Sequence, residues 1–171
     1  MKKLVLVLAI VFAGFMSANA QVWVGGGVGA RAEKGLTTFE IAPEIGYMIP
    51  NTPLTIALGA DYAFAKAGGF SSNALILEPY IRYVGGTIGH KFSLFVDLTG
   101  DFGLLDAQGA YGVFLRPGIA WQATEKFTAA FRFGYLGFDH GFEGDPIYHS
   151  GNGFVMKCDL AAPSIRLYYT L

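Results

Sequence analysis

Residues 74–84 read Ala-Leu-Ile-Leu-Glu-Pro-Tyr-Ile-Arg-Tyr-Val, and their side chains alternate between two kinds. One set of alternate positions carries both charges, Glu78 and Arg82, beside Ile76 and Tyr80. The other set is uncharged and largely apolar, and consists of Leu75, Leu77, Pro79, Ile81 and Tyr83. A period of two residues predicts a β-strand with one apolar and one polar face.

The same alternation recurs in seven further segments, at residues 22–32, 37–48, 54–64, 92–102, 111–122, 127–136 and 164–171. In each segment, one set of alternate positions is aliphatic or aromatic, and the other set collects glycine, alanine and the charged residues. A water-soluble barrel of this size would expose many lysines, but only five lysines follow residue 20. We therefore predict an all-β fold, a closed antiparallel eight-stranded transmembrane β-barrel in an up-and-down meander, with its apolar face outward.

The first 20 residues have a different composition from the rest of the chain. Lys2 and Lys3 precede an apolar run at residues 4–15, and Ser17-Ala-Asn-Ala20 ends in a small-x-small pattern. This order predicts a cleaved secretory signal peptide at residues 1–20, with the barrel domain at residues 21–171. The apolar run is shorter than the roughly 20 residues that a membrane-spanning helix requires.

The spacing of the predicted strands suits a membrane. Strands of about 10 residues, tilted by roughly 40°, cover an apolar band about 25 Å tall. Short turns are predicted at residues 49–53, 85–91 and 123–126, and longer loops at residues 65–73, 103–110 and 137–153. Aromatic residues flank both sets of connections, as expected for two interfacial belts. Pro43, Pro79 and Pro117 lie on the apolar faces, where we expect local bulges because proline cannot donate to a ladder.

The signal segment, the eight alternating strands and the C-terminal pattern Ile165-x-Leu167-x-Tyr169-x-Leu171 resemble the small eight-stranded outer-membrane β-barrel family. That family includes outer membrane protein X and the membrane domain of outer membrane protein A. The resemblance implies a place in the outer membrane of a Gram-negative cell, in contact with outer-membrane lipid and lipopolysaccharide. It also implies insertion by the barrel assembly machinery, which reads the last strand. The family usually ends in an aromatic residue, whereas this chain ends in Leu171.

The inward faces carry both signs of charge, and a lumen of eight strands is just wide enough for side chains to fill it. Charges in such a core need partners, and the planar fork of arginine can bind two carboxylates at once. We predict a structural salt-bridge network that plugs the lumen and consists of Glu40, Glu44, Glu78, Arg82, Asp97, Arg116, Arg132 and Arg166. Asp61 and Asp101 face the same way, and Arg31 is a further candidate.

This pattern favours a non-enzymatic barrel with a structural or surface-interaction role, and predicts no catalytic, cofactor or metal residues. Loop 137–153 is the candidate contact site for an extracellular partner. The net charge of −1 gives no reason to expect nucleic acid as a partner.

Two alternatives remain open. A lipid-modifying enzyme similar to the lipid A deacylases would use His149, Ser150 and Asn152, although their spacing departs from the pattern of that family. The pairs Glu40–Glu44 and Asp97–Asp101 are each about 13 Å apart along one strand, too far for joint acid–base chemistry. A narrow pore would need an open lumen. The lone Cys158 has no partner for a disulfide within the chain.

Overall fold

The computed structural model describes residues 21–33, 36–67, 70–142, 152–158 and 164–171. It contains ten strands: β1 Gln21–Glu33, β2 Leu36–Met48, β3 Leu54–Ala67, β4 Phe70–Ile88, β5 Phe92–Leu105, β6 Tyr111–Gln122, β7 Phe127–Arg132, β8 Gly134–His140, β9 Gly153–Cys158 and β10 Ser164–Thr170. The described ranges hold no helix with the length and hydropathy needed to cross a bilayer. The predicted signal peptide lies outside the described residues.

The strands close into an antiparallel barrel. Strands β1 to β6 pair in chain order, and β1 closes the ring against β10. Both β7 and β8 pair with β6, so they are two stretches of one seventh wall strand. In the same way β9 pairs with β8 and β10 pairs with β7, which makes them the two stretches of the eighth wall strand. The predicted eight-stranded, up-and-down barrel is confirmed.

The seventh wall strand contains a bulge that the sequence pattern did not predict. Gly118 pairs with Arg132 and Leu115 pairs with Leu136, so three steps on β6 oppose four steps on the seventh strand. The extra residue reverses the alternation beyond it. Alternation from Phe127 predicts that Tyr135 faces outward with Phe131. That prediction is wrong, because the Tyr135 ring packs edge-on against the buried Phe114, with centroids 5.3 Å apart.

A local bulge was expected at each of the three prolines, and two of the three positions have none. Register is unchanged across Pro43 and Pro79, and each interrupts pairing with one neighbouring strand for two residues. A missing N–H removes a hydrogen bond without requiring an extra residue. Pro117 lies opposite the bulge, where its carbonyl accepts a hydrogen bond from the Phe133 backbone at 3.1 Å. The expected bulge is thus found at Pro117 alone, and in the neighbouring strand.

Several connections are shorter than predicted because the ladders run further. Ala67 pairs with Phe70, so most of the predicted loop at residues 65–73 belongs to strands β3 and β4. Strand β4 continues to Ile88 through a bulge between Val84 and Gly86. Strand β8 reaches His140 and β9 begins at Gly153, so both ends of the predicted loop 137–153 are strand.

The two faces of the wall have opposite character. Along β5 and β6, buried residues alternate strictly with exposed ones over most of each strand. The exposed positions are large and apolar, and include Leu94, Val96, Leu98, Val113 and Leu115. The buried positions between them include Asp97, Asp101 and Arg116. The barrel therefore presents hydrocarbon to its surroundings and encloses its charges.

Candidate functional site

The lumen collects the buried charges of the described residues. Six carboxylates and four guanidinium groups are buried there: Glu44, Asp61, Glu78, Asp97, Asp101 and Asp139, with Arg82, Arg116, Arg132 and Arg166. Glu40 is partly exposed and also joins an ion pair. The structure thus brings together all eight residues of the predicted network and adds Asp61 and Asp101, while Asp139 is buried on β8. The side chain of Arg31 lies outside the described part of the structure.

Asp97 on β5 binds two arginines. Arg82 donates from Nε to Oδ1 at 2.7 Å and from Nη2 to Oδ2 at 2.9 Å, which is a bidentate pair. Arg132, from the seventh wall strand, donates from Nε to Oδ2 at 3.0 Å. Because the Asp97 side chain is fully buried, these charge-assisted bonds take the place of its hydration shell. The contacts join three wall strands through the lumen.

Glu44 on β2 is the second centre of the network. Its Oε1 accepts from Arg166 Nε at 2.9 Å and lies 3.5 Å from Arg132 Nη1. Its Oε2 accepts hydrogen bonds from the hydroxyls of Tyr80 at 2.5 Å and Tyr168 at 3.0 Å. Both carboxylate oxygens are therefore satisfied, and Arg132 connects Glu44 to Asp97.

Two further arginines complete the charged layer. Arg166 reaches Asp61 at 3.3 Å and Glu40 at 3.5 Å with Nη2. Arg116 bonds Glu78 with Nη1 and Asp101 with Nη2, the latter at 2.5 Å. Arg116, Arg132 and Arg166 thus each contact two or more carboxylates, whereas Arg82 pairs with Asp97.

Aromatic side chains fill the lumen on both sides of the charges. Near the short turns, the cluster consists of Trp23, Tyr80, Phe95, Ala130 and Tyr168. Near the longer loops, it consists of Ile76, Ala110, Phe114 and Phe142. The Arg82 guanidinium lies 4.0 Å from the Phe95 ring centroid, so the charged layer also stacks on the aromatic one. The charged layer thus lies between two clusters of packed side chains.

Glycines in the wall make room for these rings. Trp23 lies directly across the ladder from Gly46, and Phe95 lies directly across from Gly118. A Cβ at Gly46 would overlap the Trp23 ring, and a Cβ at Gly118 would overlap Phe95. Tyr168 and Gly25 form a third such pair. Bulky rings fit a narrow barrel because the neighbouring strand has no side chain at those positions.

The residues of the enzyme alternative are only partly described. His149 and Ser150 lie outside the described residues. Asn152 is described, and its Oδ1 accepts a hydrogen bond from the Gly141 backbone at 2.7 Å, which ties the two ends of the last loop together. His140 packs beside the Tyr111 ring at 5.2 Å, and Cys158 is exposed at the end of β9. No group of three potential metal-binding side chains occurs in the described part of the chain.

Sequence reasoning missed the roles of Tyr80, Tyr168 and Phe142. The two tyrosines share faces with Arg82 and Arg166 at a spacing of two, a signal that could have placed them in the network. Asp139 follows the unpredicted bulge, so no alternation pattern could have shown its direction. No protein-family profile, curated protein sequence or solved structure matches this chain.

Proposed function

We propose that this protein is an integral β-barrel of the Gram-negative outer membrane, with a structural or surface-interaction role and no enzymatic activity. The observation that carries the proposal is the reversed polarity of the wall. Charged side chains fill the interior, while the exposed positions of most strands are Leu, Ile, Val, Phe, Tyr or Trp. Such an exterior is stable when hydrocarbon surrounds it. Closure of the barrel also pairs the backbone N–H and C=O groups, to which lipid tails cannot hydrogen-bond.

The exposed apolar surface extends around the barrel. It includes Val28 on β1, Ile41 on β2, Leu58 on β3, Ile81 on β4 and Leu98 on β5. It continues on the remaining strands with Leu115, Leu136, Met156, Ile165 and Leu167. Soluble monomers rarely expose apolar patches larger than a few hundred Å², so a continuous ring of this kind supports lipid as the contact.

The wall also has the height that a membrane requires. Strand β2 has 13 residues. At about 3.3 Å per residue and a tilt near 40°, a strand of that length rises roughly 33 Å along the barrel axis. An apolar band of about 25 Å leaves room at both ends for interfacial aromatic residues.

The plug supports a structural role over conduction. The charged layer is paired across the lumen and lies between clusters of buried rings, which favours a filled lumen over an open channel. The C-terminal alternation on β10 suits insertion by the barrel assembly machinery. In this orientation the short turns face the periplasm, and the end of β8 and the start of β9 face outward, where an extracellular partner would bind.

Fractionation combined with a gel assay tests the proposal. Outer membranes would be isolated from cells that express the full chain, and samples would be electrophoresed with and without boiling. A closed barrel keeps its ring of hydrogen bonds in detergent until it is heated, so we expect a band in this fraction whose mobility changes on boiling. A soluble periplasmic protein with unchanged mobility would overturn the proposal. Planar-bilayer recordings of the purified barrel test the pore alternative, and we expect no steady conductance.

A further inference from the structure

Asp61 on β3 is buried in the lumen, with 4% of its surface exposed, and its contacts are long. Arg166 Nη2 lies 3.4 Å from Oδ1 and 3.3 Å from Oδ2 of Asp61. The same nitrogen lies 3.5 Å from Glu40, and Arg166 makes its shortest bond, 2.9 Å from Nε, with Glu44. Among the described residues, Asp61 therefore contacts one guanidinium, which it shares with two other carboxylates.

The strand register places three carboxylates around Asp61. Glu44 on β2 and Glu78 on β4 both pair with Gly59, two residues before Asp61. Glu40 on β2 pairs with the residue two positions after Asp61. All three acids thus occupy diagonal positions on the same inward face, roughly 7–8 Å away, within reach of long side chains. A negative charge on Asp61 is repelled from both neighbouring strands.

Each of the three neighbouring carboxylates has a stabilising contact of its own. Glu78 accepts a hydrogen bond from Arg116 Nη1. Glu44 accepts from two tyrosine hydroxyls in addition to its arginine contacts. The Glu40 side chain is 28% exposed, so water reaches it. Of these four acids, Asp61 is the one whose negative charge is compensated least.

The other positive charges around this layer are engaged by other acids. Arg116 and Arg132 each donate to carboxylates other than Asp61. On β1, Gly27 and Gly29 face the layer and bring no charge, since a Cβ at either would lie within 3.4 Å of a charged side chain of the layer. The side chain of Arg31, further along β1, lies outside the described part of the structure. The described arginines therefore leave Asp61 with its share of one guanidinium.

We propose that Asp61 keeps a proton at neutral pH, so that the folded barrel binds one proton more than the unfolded chain. A neutral carboxyl group avoids repulsion from the surrounding acids and costs less to bury than a carboxylate. In the unfolded chain an aspartate is ionised above about pH 4. Protons then favour the folded state, so a rise in pH destabilises the barrel over the range in which folded Asp61 is protonated. Asp61 lies inside the barrel whatever surrounds the outer face, so this proposal is independent of the membrane location.

Urea unfolding of the full-length mature barrel between about pH 5 and pH 7 tests the proposal, with Asp61→Asn beside the unmodified protein. The asparagine keeps the shape of a neutral carboxyl group and cannot ionise. For each pH unit, the folded-to-unfolded ratio of the unmodified protein should fall about tenfold relative to the variant. Asp97→Asn is the matched control, because Asp97 accepts from two arginines. It should be less stable than the unmodified protein by the same factor throughout this range.

Infrared spectroscopy gives a readout on the unmodified protein itself. At neutral pH its spectrum should contain the C=O stretch of a protonated carboxyl group, and this band should be missing from Asp61→Asn. If Asp61→Asn does not show the heat-dependent gel shift, Asp61→Leu, an uncharged side chain of similar size, takes its place in both measurements.

Three results would overturn the proposal. One is a parallel pH dependence of stability in the unmodified protein and the Asp61 variant. Another is a neutral-pH spectrum without a protonated carboxyl band, or with a band that persists in the variant. The third is a stability difference that follows the sodium concentration at fixed pH, since a bound cation would then compensate Asp61. The gel shift and fractionation decide the membrane location separately, so the two proposals fail by different measurements.

Discussion

Asp97 lies directly across the β4–β5 ladder from Arg82. Its carboxylate accepts hydrogen bonds from Arg82 Nε at 2.7 Å and from Arg82 Nη2 at 2.9 Å. The same carboxylate also accepts from Arg132, which comes from the seventh wall strand. One buried acid thus ties three wall strands together. Loss of this single charge should therefore destabilise the barrel.

We expect Asp97→Asn to lower the free energy of unfolding by about 3–5 kcal/mol, because two buried guanidinium groups lose a shared counter-charge. The measurement is the urea unfolding midpoint of the barrel in lipid vesicles. Glu125→Gln, at an exposed turn, should change stability by less than about 0.5 kcal/mol. Equal midpoints for Asp97→Asn and the unmodified protein would contradict a stabilising network.

Arg116→Ala should also lower the urea midpoint, since Glu78 and Asp101 would lose the guanidinium that both contact. It should open no large channel, because Phe114 and Phe142 still close the lumen above. Single-channel recording checks the second expectation. A double variant, Arg116→Ala with Glu78→Gln, should recover part of the lost stability by removing one uncompensated charge. A large, steady conductance in the single variant would show that the arginine itself blocks a pore.

Gly46→Ala should destabilise the barrel by roughly 1–3 kcal/mol, because its Cβ overlaps the Trp23 ring in a packed interior. Urea unfolding again gives the difference, and Trp23 fluorescence reports the displaced ring. Gly86→Ala is the matched control, since nothing lies within 4 Å of the added carbon. If both substitutions had the same effect, the glycine positions would not be reserved for the rings.

Phe142→Ala should remove a side chain that is only 1% exposed and packs against the Ile76 and Phe114 cluster. Truncation of a buried phenylalanine typically costs about 3–5 kcal/mol. We also expect faster amide hydrogen exchange at Gly141, whose N–H bonds Asn152, because the end of β8 would lose its anchor. Phe154→Ala, at 64% exposed on the outer face, is the comparison. Unchanged exchange at Gly141 would argue against this anchoring role.

The sequence by itself determined the barrel and which face of its wall is charged. Side-chain direction in a strand alternates with a period of two, so Glu78 and Arg82 must share one face and Leu77 and Ile81 the other. This alternation depends only on neighbouring residues, and its recurrence in eight segments predicts a closed wall of eight strands. The pattern failed only where an extra residue enters, as at Phe133 to Tyr135, because one added residue reverses the faces of the residues beyond it.

Only the tertiary structure decided which charges meet. Arg116 is the ladder neighbour of Asp97, yet it bonds Glu78 and Asp101, while Arg132 reaches Asp97 from the seventh wall strand. Long arginine side chains select partners across a lumen whose geometry depends on the stagger of all the strands together. The insertion of Phe142 has the same origin, since it depends on how distant segments approach one another. The alternation of residue types along a single strand contains no information about those distances.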